Sequence, residues 1–592
     1  MSGARRLLLV AAAALGLTAW AFANEDQLRL QQDPANWPIN NGNYAGWNYS
    51  PLDQINTSNV QDLVVAWTFQ TGILDNHEAE PLVVGDTMYL VTPKPNTVYA
   101  LDLGDSGRIK WSYVADQPEL ETAIARACCG AQTRGLAYGE GKVIINTLDG
   151  QVIALDAETG QEVWKVQNAD LSIGETMTTA PLVVHDHVIV GVAGAEYAIR
   201  GHVTAYALDD GERLWRAYNI GPDEDMLITD RFKPFYPDDK VEDVGVSTWY
   251  GDSWKRGGAS IWGWFTYDPE SDLFYYGTGN CAPWNPDYRR DPATAPGLDK
   301  YTNKYCASVL ARDATTGELV WAYSLTPQDQ WDYDSPAGFL VVDLEIGGEL
   351  RKALVHQNRN GYVYVFDRLT GEILVEPWAW TNVTWADGID METGRPRFRP
   401  EAIAYTGGNV ELLCPFSGGN WEQQSYSPQT GLFYFTGHNS CGENYGMRKG
   451  EYVPGQSWTL FVSGGFTTKG NPGKLWAVDP ATGEEVWSVD MLRAGNKRPV
   501  FTTGGNLLIQ GSQLGTVDFY DATTGELLWQ FRAGSGFRNS PISFLGPDGK
   551  QYIAIISSSA PSSREVAYDE PPDAASRYSR PGSTLYVFTL PD

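Results

Sequence analysis

The pattern Ala-x-Asp-x-x-x-Gly-x-x-x-Trp recurs along this 592-residue chain and constrains its fold more than any other feature. It is complete at Ala154, Asp156, Gly160 and Trp164, at Ala311, Asp313, Gly317 and Trp321, and at Ala477, Asp479, Gly483 and Trp487. Phe519, Asp521, Gly525 and Trp529 differ in the first position alone, and Ala100, Asp102, Gly107 and Trp111 carry one inserted residue. Ala205, Gly211 and Trp215 have Ala207 in place of the acid, and Phe366, Asp367 and Gly371 lead to Val375 where the tryptophan is due. Trp67, in the run Val64–Phe69, reads as one more closing strand.

Each part of the unit has a physical role. An apolar strand ends at Asp, Asp-x-x-x-Gly turns the chain, and the next strand brings Trp to where it packs on the neighbouring unit. The units at 67, 111, 164, 215, 321, 375, 487 and 529 are mostly spaced by the length of a four-stranded blade. The gaps 215–321 and 375–487 have room for insertions. The expectation is all-β: an eight-bladed β-propeller with tryptophan-docking repeats, residues 24–592 forming one domain. The final run Thr584–Leu590 is expected to pair with the N-terminal region, closing the ring and removing open edges.

Residues 1–23 read as a secretory signal: Arg5 and Arg6, the apolar stretch Leu7–Trp20, then Ala21-Phe22-Ala23 as a small-x-small cleavage site. That stretch is short for a membrane span, so the mature chain is expected in the periplasm and not spanning a membrane. Export makes disulfides possible among the six cysteines. Cys128 and Cys129 are adjacent. A bond between neighbours closes almost no chain and strains the peptide between them, so such a ring persists where a site uses it. Pairing of each with a distant cysteine stays open at this point. No Cys-x-x-Cys-His occurs, so no c-type haem is attached and any electrons collected leave through a separate partner. The net charge of −30 becomes −32 without Arg5 and Arg6, which excludes the basic footprint of a nucleic-acid binder and suits a basic partner.

Trp331-Asp332-Tyr333-Asp334 places two acids two residues apart, on one face if the segment is a strand. Like charges there repel unless a cation or a proton sits between them. Glu196 follows the apolar run Val188–Val192, and Asn280 follows Leu273–Tyr276. An acid and an amide at separate strand ends are oxygen ligands suited to a hard cation. His185-x-His187 lies between two apolar runs and reads as a hairpin turn rather than a metal site. No Rossmann, Walker or Gly-x-Ser-x-Gly signature occurs. A propeller alone does not specify function, and a periplasmic scaffold is the non-enzymatic rival.

The stretches Asn48-Tyr49-Ser50-Pro51-Leu52, His77-Glu78, Cys128-Cys129 with Arg134, Thr178 with Ala180-Pro181, Gly194-Ala195-Glu196, Trp262-Gly263-Trp264, Gly277-Thr278-Gly279-Asn280, Trp331-Asp332 and Arg359-Asn360-Gly361 run in this order. Over nearly its whole mature length the chain thereby resembles the quinoprotein alcohol dehydrogenases of the methanol/ethanol type, which use pyrroloquinoline quinone (PQQ). The resemblance implies a vicinal disulfide Cys128–Cys129 on one face of the quinone and Trp262 on the other. It implies that Glu78, Arg134, Thr178, Ser260, Asn420 and Trp421 hold its carboxylates and carbonyls, with Gly194 and Ala195 beside it. Lys497 falls where the family often has a tryptophan beneath the quinone and is carried as a cofactor contact.

Glu196, Asn280 and Asp332 match the metal ligands, Arg359 the arginine near the reactive oxygens, and Asp332 the catalytic base, with Glu196 its rival. The implied reaction passes a hydride from an alcohol to metal-activated PQQ. Asp334 occupies the position where lanthanide-dependent members carry a second aspartate. Three negative charges suit a trivalent ion, and calcium is the alternative. Cys414–Cys441 matches a family disulfide, and Cys281–Cys306 could form an extra one around the insertion Asp287–Lys300. That insertion suggests primary alcohols larger than methanol. The insertion, the loop Ser558–Asp573 and Trp284 at the entrance shape the pocket, and a polyol or sugar dehydrogenase is the alternative. A scaffold would need neither the adjacent cysteines nor the three acids. A soluble periplasmic cytochrome c is the implied acceptor, and a homodimer is one expected state.

Overall fold

Short runs of Val, Ile, Leu and aromatic residues, separated by Asp- and Gly-containing turns, form antiparallel strands that group into sheets in chain order. The computed structural model describes residues 24–294, 300–416, 418–491, 498–558 and 579–592; the expected signal, 1–23, lies outside them. Leu82–Val84, Thr87–Val91, Thr97–Asp102 and Arg108–Val114 make one four-stranded meander. Further four-stranded meanders begin at Leu136, Leu182, Thr266 and Leu340. A larger sheet is built on the long strands Leu432–Met447 and Gly465–Asp479, and a five-stranded one runs from Val500 to Arg532 with Tyr49–Ser50 added at its edge. In the remaining sheet, Ile542–Leu545, Gln551–Ile556 and Thr584–Thr589 are completed by Val64–Gln70. The fold is an all-β propeller. Its ring closes as expected: Val64–Gln70 pairs antiparallel with Thr584–Thr589, Trp67 opposite Val587. One buried cluster runs through Val91, Ile153, Phe501 and Phe588, so the first and last sheets share a core. No helix among the described residues is long and apolar enough to cross a membrane.

The repeat explains how successive sheets are joined. Where a unit has its Asp, that residue caps the turn; Asp313 Oδ1, for example, accepts from the backbone N of Thr316 at 2.7 Å. The turn glycine takes a positive φ and lies flat on the tryptophan of the preceding unit: Gly107 on Trp67, Gly160 on Trp111, Gly211 on Trp164, Gly317 on Trp215, Gly371 on Trp321 and Gly525 on Trp487. The indole N–H then donates to a carbonyl of the same turn, as Trp321 Nε1 does to Arg368 O at 2.9 Å and Trp487 Nε1 to Ala522 O at 3.0 Å. The motif thus encodes a contact with its neighbour as well as a hairpin.

One expectation is corrected. The unit ending at Val375 does have its tryptophan, three residues later: Trp378 lies under Gly483. Strand Ile373–Ala379 pairs irregularly with Tyr362–Asp367, shifting register on either side of Val365, and this moves the indole off the sequence spacing. The two long gaps carry insertions as expected. The first holds the short helices Asp223–Met226 and Val244–Ser247, the second the two-stranded sheet of Ala386–Asp390 and Arg395–Phe398. His185 and Asp186 form the tight connection between Leu182–Val184 and His187–Gly191, so the paired histidines mark a turn.

The glycine contact makes a quantitative expectation. At Gly371 φ is +77° and an added Cβ would lie 2.6 Å from the Trp321 ring, whereas at Gly549 φ is +76° with open space around it. G549A should cost about 1–2 kcal/mol of backbone strain. G371A should cost that plus about 1–3 kcal/mol of overpacking. Denaturant unfolding of the two variants checks the difference; equal losses would mean that the indole contact carries no packing constraint.

Candidate active site

The ligand-bearing side chains stand just past strand ends. Glu196 lies in the short turn Ala195–Tyr197 after strand His187–Gly191, and Asn280 follows Leu273–Gly277. Arg359 follows Glu349–Gln357. Gly194, φ +123°, could not carry a Cβ because it would meet the carbonyl of Gly174, so glycine is what lets the Glu196 turn form. On a strand Asp332 and Asp334 would share one face, but the segment Trp331–Asp334 is not a strand. Asp332 instead adopts φ +66°. The bend is held by Asp329, whose Oδ1 accepts from the backbone N of both Trp331 and Tyr333 at 3.1 Å.

The two acids nevertheless converge. One oxygen from each of Glu196, Asp332 and Asp334 lies within 4.8 Å of the others. Asp332 and Asp334 are buried and Glu196 half-buried. Arg359 binds both aspartates, Nη2 to Asp332 Oδ2 at 2.5 Å and Nη1 to Asp334 Oδ2 at 3.5 Å. Burial raises the proton affinity of Asp332 and Asp334; nearby acids, Glu196 among them, raise it further, and Arg359 opposes the rise. Asn280 donates its backbone N–H to Asp334 Oδ1 and its Nδ2 to Cys281 O at 2.9 Å. Asn280 Oδ1 and Asp332 Oδ1 are buried with no hydrogen-bond partner among the described residues. Three clustered carboxylates and an amide oxygen without a donor are what a hard cation takes, so the residues present fit a metal.

Beside this cluster lies an aromatic and cationic surface. Trp262 donates its indole N–H to Asp334 Oδ2 at 3.1 Å, linking the acids to the expected stacking ring. The Arg134 guanidinium lies 4.7 Å from the Trp262 ring centre and 5.7 Å from that of Trp421. Arg134 Nη1 donates to Thr178 Oγ1 at 2.9 Å, and Nη2 pairs with Glu78 at 3.0 Å. Trp264 donates to Trp421 O at 2.7 Å. Asn420 donates its backbone N to Glu422 at 2.8 Å, while its Oδ1 is buried with no hydrogen-bond partner among the described residues. Ser260 is buried and its carbonyl accepts from Gly279 N at 2.7 Å. This aromatic-faced set, with the Arg134 Nε donor buried and without a hydrogen-bond partner among the described residues, fits a planar acidic cofactor.

Cys128–Cys129, Cys281–Cys306 and Cys414–Cys441 are all joined. The vicinal pair follows the helix Leu120–Arg126 and is exposed. Trp284 is buried with its ring centre 4.5 Å from that of Phe461. Lys497 lies outside the described residues, as do 295–299 of the insertion and 559–573 of the expected pocket loop.

The sequence reading missed Arg538, Asp329 and Glu80. Arg538 pairs with the other oxygen of Glu78 at 2.9 Å and lies 5.6 Å from the Trp421 ring centre. Nothing local in the chain marks it. Glu78-Ala79-Glu80 has the same two-apart spacing as Asp332 and Asp334, and that signal could have flagged Glu80.

Comparison with known proteins bears on this site. Residues 37–377 match the family model described as the glucose/ethanol/alcohol dehydrogenase β-propeller domain, which carries the label PQQ. Over 93% of its length the chain is 43% identical to a "Lanthanide-dependent methanol dehydrogenase" of Methylacidiphilum fumariolicum (strain SolV), covering 89% of that protein. It is 39% identical to "Methanol dehydrogenase [cytochrome c] subunit 1" of Paracoccus denitrificans, over 93% of this chain and 88% of the relative. The solved structure of a "Europium-containing methanol dehydrogenase" superposes with a TM-score of 0.89 at 40% identity, covering 96% of this chain and all of that one.

Glu80 gives a pH dependence. It is fully buried, accepts from the Asn41 backbone N–H and from Gln423 Nε2, and is pushed up to about 8 by burial. The folded protein therefore keeps a proton that the unfolded chain, at about 4, has already released. The stability from this group is full at low pH and is lost as pH rises through about 8. E80Q does not titrate, so its stability relative to the native protein should rise from about pH 5 to about pH 8 and then level off. Thermal unfolding across that range checks it; a constant difference would show that Glu80 does not titrate there.

Proposed function

The chain belongs to the PQQ-dependent (quinoprotein) alcohol dehydrogenases, and we propose that within this family it is a periplasmic, lanthanide-dependent enzyme that oxidises primary alcohols to aldehydes. The observation that carries this reading is the gathering of Glu196, Asp332 and Asp334 within 4.8 Å, with both aspartates paired to Arg359. Glu196, Asn280, Asp332 and Asp334 would hold the ion. A site with three acids suits a trivalent ion better than a divalent one, and the likeness to a lanthanide-dependent relative supports the same choice. Cys128–Cys129 and Trp262 would flank the quinone, and Glu78, Arg134, Thr178, Ser260, Asn420 and Trp421, with Gly194 and Ala195, would border it. When bound, PQQ supplies the two-electron acceptor and the ion a Lewis acid.

The chain's own residues do the rest. Asp332, its proton affinity raised by burial, takes the hydroxyl proton of the alcohol. Arg359 fixes that carboxylate through Oδ2 and leaves Oδ1 for the site. Burial of this pair excludes water from the proton-accepting oxygen.

Primary alcohols larger than methanol are the proposed substrates. Support comes from an aromatic rim: Tyr288 and Trp458 have ring centres 5.2 Å apart, and Trp458 N donates to Glu196 O at 2.7 Å. A soluble cytochrome c is the proposed acceptor, in keeping with the cytochrome c-linked relative. The scaffold is read as eight-bladed and as one domain, supported by the recurrence of the tryptophan unit and by the sequential sheets.

The test is alcohol oxidation by metal-free protein plus PQQ with an artificial acceptor, comparing calcium with lanthanum or cerium. Turnover with the lanthanides is expected; turnover with calcium alone would overturn the metal assignment. D334A should weaken lanthanide affinity by about 10–100-fold, with a smaller loss for calcium. Paired titrations of the two ions check that difference.

A further inference from the structure

We propose that the Cys281–Cys306 disulfide is a positioning device for Asn280, so that its loss weakens lanthanide binding; this rests on the metal reading above. Asn280 is the neutral member of the proposed ligand set. A carboxylate is drawn to a cation by its charge, whereas an amide oxygen contributes fully only if it is already aimed. The structure aims it through its neighbour. Nδ2 donates to Cys281 O at 2.9 Å, and Oδ1, at the other end of the same amide, is buried without a hydrogen-bond partner among the described residues. A shift of the Cys281 carbonyl would therefore turn the ligand oxygen away.

Both flanks of Asn280 are tied to one segment. Gly279 O accepts from Ala307 N at 2.9 Å, and Cys281 is bonded to Cys306, with Cα atoms 5.1 Å apart. The segment is itself fixed, since Ser308 Oγ donates to Cys306 O at 2.7 Å and Thr278 N to Ser308 O at 2.9 Å. The sulfurs are buried against Ile220, Trp249 and Ala259. The chain between the two cysteines carries the insertion Asp287–Lys300. That loop is anchored by Arg289, which donates to Pro283 O at 2.8 Å and to Asp329 O at 2.6 Å. The disulfide closes the foot of this loop beside the ligand. The Asn280 backbone N–H also holds Asp334 Oδ1, and Trp262 holds Oδ2, so the same tether reaches the second aspartate.

The experiment titrates metal-free protein with terbium, read by tryptophan-sensitised luminescence, for the native chain and for C281A/C306A. The variant is expected to bind about tenfold or more weakly, and adding N280D to it should restore affinity, because a charged ligand needs less aiming. A merely structural bond would lower thermal stability without changing the terbium constant and without rescue by N280D. If C281A/C306A does not fold, C281A/C306V, which keeps the buried volume, is titrated against the same criterion. Affinity within about twofold of the native protein would overturn the inference while leaving the metal reading intact. Failure of the native protein itself to bind terbium would overturn the metal reading, and the inference with it.

Discussion

Everything in this molecule depends on a tryptophan lying on the next unit's turn glycine. The contact is local, but because it recurs from Trp67 to Trp487, it sets the angle between most successive sheets of the ring. The indole supplies a large apolar face and a single N–H, and both are satisfied by the same turn, as Trp321 is by Gly371 and the Arg368 carbonyl. A buried tryptophan of this kind is worth on the order of 3–5 kcal/mol to truncation, and the contact is used repeatedly. The result is a scaffold stiff enough to hold groups that repel one another.

That stiffness is what the site requires. Glu196, Asn280, Asp332 and Arg359 come from strand ends or loops far apart in the chain, and the acids would separate if the backbone allowed it. Asp334 is the hub. It receives the backbone N–H of Asn280, the indole N–H of Trp262 and the distal end of Arg359. One carboxylate therefore fixes the relative placement of the metal ligands and the stacking surface, so errors in one would be felt in the other.

Much of this was legible from residue patterns, for reasons that differ by element. The strand–turn–strand unit was readable because Asp, Gly and Trp each do something that few other residues can do at that spacing. Trp378 escaped because an irregular strand pairing breaks the spacing while keeping the contact. The acids of Trp331–Asp334 were identified from their spacing and the family stretches, but the way they meet was not: Asp329 bends the chain, and no pleat aligns them. Arg538 and Asp329 were invisible because their roles are defined by partners remote in sequence or by backbone groups. The vicinal cysteines and the family stretches carried the cofactor reading, which periodicity alone could not supply.

Ring closure has a temporal side. Val64–Gln70 belongs to a sheet whose other strands lie more than 400 residues downstream, ending at Thr584–Thr589. While the chain is being made, Val64–Gln70 must wait with its hydrogen-bonding edge unpaired until Thr584–Thr589 emerges. Val64 and Val65, exposed even in the folded ring, add apolar surface to that waiting edge. Sheets in between can assemble in order as they appear, but the seam has to wait for its C-terminal strand. Without Thr584–Thr589 the ring would keep most of its sheets and yet present an open, adhesive margin, so a single six-residue strand guards the whole seam.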